Sequence, residues 1–170
     1  MRRIPHLLFG ILALLASLVS PGLAIDEQNA RRALSGLRGI YVLVEKIEPF
    51  AERMGLTKST LQADVEAKLR QAGVRILTKD EWVAELGKPV LSLHVNAIPQ
   101  SLGLYVFSIQ LRLNQGVRLT RDPSIESMAT TWSVVMVGTI GADQLVQVRD
   151  SVRGRVDEFI QAYLAVNPRR

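Results

Sequence analysis

Enzyme chemistry needs side chains that move protons, hold metals or attack carbon, and this sequence supplies few of them. It has two histidines and no cysteine. The missing thiol closes cysteine nucleophiles, CxxC redox pairs and cysteine-ligated zinc. His6 falls in an N-terminal segment that reads as a leader, which leaves His94 as the one imidazole of the remaining chain. No G-x-S-x-G elbow presents a serine to it, so a Ser-His-Asp device has no visible starting point. A zinc site takes three or four N, S or O ligands, which one histidine does not approach. P-loop, EF-hand and G-x-G-x-x-G patterns are also missing. Asp64 and Glu66 are two apart on an expected helix and diverge, as do the adjacent Asp157 and Glu158. Asp80 and Glu81 are accounted for by a helix cap. The reading is therefore a non-catalytic protein with no metal and no cofactor. A hydrolase whose carboxylate pair comes from distant segments stays as the enzymatic alternative.

Binding residues are easier to find, because two segments alternate polar and apolar side chains. Over Val90–Ala97, Leu91, Leu93, Val95 and Ala97 share one side, opposite Ser92, His94 and Asn96. Over Gly103–Leu119, Tyr105, Phe107, Ile109, Leu111 and Leu113 oppose Ser108, Gln110, Arg112 and Asn114. A period of two over such lengths predicts strands with one buried and one wetter face, as antiparallel sheets allow. His94, Asn96, Gln110, Arg112 and Asn114 are the candidate binding residues, with Arg112 the natural contact for an anion. The same face also reads as plainly solvated. The expected partners are an envelope protein, a glycan or a lipid headgroup. A second charged stripe, Arg149, Arg153 and Arg155, lies near Asp150 and Asp157, and self-pairing along its helix is the expectation there.

The elements that must carry these residues can be placed by their caps and stripes. Gly39–Ile47 reads as a strand, and Pro49 and Gly55 bracket a loop. Thr57 is an expected N-cap, with Leu56 and Leu61 as a hydrophobic staple and Leu61, Val65, Leu69 and Ala72 as a helical stripe ending at Gly73. Val74–Leu77 is a short predicted strand. Thr78 to Glu81 forms a capping box, and Leu77 with Trp82 a second staple, which makes Trp82 a packing residue. A further strand is expected over Ile125–Ile140. A long helix is expected over Ala142–Val166, striped by Leu145, Val148, Val152, Val156, Phe159 and Tyr163; Gly154 within it marks a bend or a close approach. Asp26–Gly36 reads as a short helix or arm. The predicted fold is α+β, a two-layer sandwich. Its mainly antiparallel or mixed sheet of about five strands carries two long helices on one face.

The N-terminus reads as an address. Met1-Arg2-Arg3 precedes the apolar run Leu7–Val19, and Gly22 and Ala24 are the small residues a signal peptidase requires. Cleavage after Ala24 is predicted, dividing the chain into a leader, 1–24, and one domain, 25–170. The apolar run is too short for a bilayer span, though an uncleaved anchor is the alternative. Cleavage removes Arg2 and Arg3 and lowers the formal charge of +5 by two, which leaves too weak a basic bias for nucleic acid. Of 170 residues 48% are hydrophobic, enough for one packed domain without disulfides. Export without cysteine or an N-x-S/T sequon fits a bacterial periplasm.

In element order the chain resembles small exported α/β domains of bacterial envelope accessory proteins, among them lipopolysaccharide-assembly lipoproteins and the N-terminal domain of the Tol-system propeller protein. The resemblance implies a periplasmic accessory role and no particular site residue. A lipobox, which the lipoprotein members carry, is missing here with the cysteine. Pairing through an exposed strand edge, from Val90–Ala97 or Ile125–Ile140, is the structural alternative.

Overall fold

A computed structural model of the chain describes residues 21–53 and 55–168. The leader expected over residues 1–24 lies largely outside these residues. Helix α1 (Pro21–Arg32) opens them, and it runs across the expected cleavage point. There follow β1 (Tyr41–Val44), α2 (Pro49–Arg53), α3 (Lys58–Gln71), α4 (Lys79–Ala84), β2 (Val90–Pro99), β3 (Leu104–Leu119), β4 (Asp122–Gly141) and α5 (Val148–Val166). Short 3-10 turns precede β3 and α5. The strands form one mixed sheet in the order β1-β2-β3-β4, with β1 parallel to β2 and the other pairs antiparallel.

The two long helices share one face of that sheet, as their single stripes require. Leu61, Val65 and Leu69 of α3 and Val148, Val152, Val156 and Phe159 of α5 join one buried cluster. The sheet contributes Val42, Val44, Leu91, Leu93, Val95, Phe107, Ile109, Leu111 and Leu113 to it. Thr57 caps α3 by accepting the Thr60 N–H at 3.2 Å, and the Thr78–Glu81 capping box starts α4. The α3–α5 seam is also ionic. Asp64 receives the Arg149 guanidinium through Nε and Nη2, the latter at 2.7 Å, and Lys68 meets Asp157 at 2.6 Å.

Several expectations need correction. The sheet has four strands, because the segment Val74–Leu77 contributes only an isolated parallel bridge, Ile40 to Ile76. The Thr78 cap follows too closely for more pairing. The bracketed loop after β1 begins with the short helix α2. Arg153 and Arg155 pair along their helix as expected, with Asp150 at 3.0 Å and Glu158 at 2.8 Å, but Arg149 reaches across to Asp64, which also receives Arg153 at 3.3 Å. Gly154 has no neighbouring atom within 4 Å of where a Cβ would stand, so it marks no close approach. Helix α4 is the largest departure. Tyr41, on the opposite side of β1 from buried Val42 and Val44, stacks on Trp82 with ring centroids 5.4 Å apart. The α4 segment therefore crosses the other face of the sheet at its Tyr41 end. There Gly116 leaves room for the passing backbone of Gly87; a Cβ on Gly116 would stand 3.4 Å from it.

Candidate functional site

Strand register sets the rows of the face opposite the two long helices. Leu43, Ser92, Arg112 and Ser133 lie side by side across four strands. His94, Gln110 and Val135 form the next row, and Asn96, Ser108 and Val137 the one beyond. All five candidate residues thus occupy one face, as their alternation predicts, and each is half-buried rather than covered by a helix. Val42, Leu91, Leu113 and Trp132 make the corresponding row on the helix side.

The face divides into an internally bonded end and an unbonded middle. Near α4, Ser92 is buried, at 7% exposure. Its hydroxyl accepts from Asn114 Nδ2 at 3.1 Å and donates to the Arg112 carbonyl at 3.4 Å, while Asn114 Oδ1 accepts from Thr130 at 2.7 Å. Asn114 is therefore occupied in tying three strands together, a role the sequence does not disclose because its partners lie on other strands. His94 Nδ1 lies 2.9 Å from Glu45 Oε2, with both side chains partly exposed. Glu45, just past β1, was not among the predicted residues. Only the parallel β1–β2 pairing, invisible in one sequence, brings it there.

In the middle, Asn96, Gln110 and Arg112 make no side-chain hydrogen bond or ion pair among the described residues. Arg112 accordingly offers a free guanidinium fork between Ser92 and Ser133, a geometry that suits an anionic oxygen group. Towards the far end the face turns apolar, with Ile98, Val135 and Val137 51%, 55% and 66% exposed. Among the described residues no three histidine or carboxylate side chains gather as a metal site, and no helix is long and apolar enough to cross a membrane.

Two concave regions lie elsewhere. A shallow groove beside β1 is lined by Tyr41, Leu43, Glu52, Lys58, Ser59 and Gln62. A cleft between α1, β4 and α5 is lined by Glu27, Arg31, Trp132, Glu158 and Gln161, among others. Neither contains a predicted site residue.

No protein-family model matches the chain, and no curated protein matches it. Among solved structures it is similar to a minor lipoprotein from Acinetobacter baumannii, at 10% identity and a TM-score of 0.34, over 78% of this chain and 93% of that one.

Proposed function

We propose that the protein is a non-catalytic binding or assembly accessory of the bacterial envelope, acting through the open polar face of its sheet. The observation that carries this reading is the half-buried Arg112, unpaired in mid-sheet beside the equally unpaired Gln110. An arginine held by its neighbours but not neutralised by them keeps its bidentate donors for an anionic oxygen group. Headgroup phosphate, acidic glycan and protein carboxylate share that chemistry, and the leader-like N-terminus directs the reading to the envelope.

Binding should be measured with three probes: phosphatidylglycerol-containing vesicles, an acidic polysaccharide, and immobilised envelope-protein extract. At least one should be retained by the wild type and lost with Arg112→Ala, and retention should weaken as salt rises. Stability of the Arg112→Ala and Gln110→Ala variants should stay within about 0.5 kcal/mol of wild type, as for most surface changes. Indifference of all three probes to Arg112 would remove the reading.

A further inference from the structure

The two edges of the sheet are finished differently. On β1 the outward groups find partners. Ile40 N–H donates to the Arg75 carbonyl and the Ile40 carbonyl accepts from Leu77 N–H, at 3.0 and 2.8 Å. The Gln62 amide then imitates a strand: its Nε2 donates to the Val42 carbonyl at 3.0 Å and its Oε1 accepts the Val44 N–H at 3.1 Å. On β4, a 20-residue strand, no side chain or second strand bonds the backbone groups facing away from β3 over residues 127–140 among the described residues. Edge strands are ordinarily blunted by lysine, inward charge, proline or brevity. From Ser127 to Gly141 β4 has no charged residue and no proline, and its one irregularity in that stretch is the bulge at Thr131.

We propose that β4 pairs antiparallel with β4 of a second copy of this chain, joining two four-stranded sheets into one of eight. The occupant follows from self-complementarity. An antiparallel strand paired with its own copy brings the residues on either side of the twofold axis face to face, so charges of one sign near that axis would repel; this stretch carries nothing to repel its copy. A twofold axis perpendicular to the sheet keeps the open faces on one side, so open-face residues must oppose open-face residues. Centring the axis on Met136 meets that condition. It sets Val135 opposite the partner's Val137, and Ser133 opposite the partner's Thr139. The two exposed valines thereby become cross-strand neighbours, the pairing β-branched residues favour. Val90–Ala97, the other strand expected to have a free edge, lies between β1 and β3 and is unavailable.

The test uses the full chain and its lack of cysteine. Light scattering behind size exclusion should give twice the monomer mass at micromolar concentration. Val137→Lys replaces a side chain 66% exposed, so folding should survive, as circular dichroism would verify. The variant should dimerise about tenfold more weakly or worse, because two ammonium groups then sit close on one face. Val135→Cys chains mixed with Val137→Cys chains should form a disulfide faster than either alone, because only the mixture places sulfurs directly opposite. Arg112→Cys, in mid-face, should not cross-link. A monomer at every concentration, a Val137→Lys dimer as tight as wild type, or ready cross-linking through residue 112 would each overturn the proposal.

Discussion

Asp64 shows how a single carboxylate can bind two helices. Hydrogen bonding from Arg149 holds its carboxyl below the ordinary value of 3.8, aided by the charges of Arg149 and Arg153 and opposed by burial. A carboxyl with a lowered folded pKa stabilises the fold fully above its unfolded value and loses that contribution as pH falls through the lowered one. Asp64→Asn should therefore cost about 1–2 kcal/mol at neutral pH, between an exposed and a buried pair. In chemical denaturation its deficit against wild type should shrink progressively below the ordinary carboxylate range. Gly154 gives the opposite sign: with open space around it on α5, Gly154→Ala should add about 0.5–1 kcal/mol of stability in the same assay. Trp82 is half-buried against Tyr41, and its indole nitrogen is enclosed without a hydrogen-bond partner. Trp82→Ala should cost about 2 kcal/mol, less than the roughly 3–5 of a fully buried aromatic. The packing role of Trp82 is legible from its place in the first turn after the Thr78 cap. Its place on the far face is not, because a period-two pattern says which residues share a side and nothing about which helix covers it. Asp64 and Arg149 are 85 positions apart, and helical spacing alone points Arg149 to a partner on its own helix.

Among elements, β2 and the paired part of β3 up to Leu113 are the most legible because one side of each is apolar and the other largely polar. That contrast fixes register as well as existence, since a slip by one residue would expose Leu91, Leu93, Ile109 and Leu111 together. The α3 and α4 starts are equally plain, since Thr57 and Thr78 each have a matching backbone donor three positions on. Less legible is β4. A bulge at Thr131 changes its phase, and Thr131 is held there by accepting from Gln115 at 2.7 Å. Beyond that bulge the β3–β4 ribbon continues past the start of β2, exposing Ile125 and Met128. Within the paired region Gly138 faces Phe107 so closely that a Cβ would stand 2.7 Å from the ring. Gly138→Ala should therefore displace Phe107 and cost about 1–3 kcal/mol, as overpacking does. A near-ultraviolet circular dichroism change should accompany the lowered denaturation midpoint.

At the scale of the molecule, the two-layer arrangement is legible because the long helices are apolar on one stripe only, while the sheet's order depends on contacts between remote segments. The N-terminal reading can be checked by intact-mass measurement of protein from a periplasmic extract. The mass should begin at Ile25, whereas retention of Met1 would favour an anchor. The sheet also has an uneven sequence distance between its neighbours. Strands β2, β3 and β4 follow one another in consecutive hairpins, but β1 and β2 are separated by residues 45–89. Gln62 stands only 18 positions from Val44, so closing that shorter loop costs roughly 1 kcal/mol less than bringing up β2. The outer edge of β1 is thus closed by a contact nearer in sequence than the strand that pairs with its inner edge.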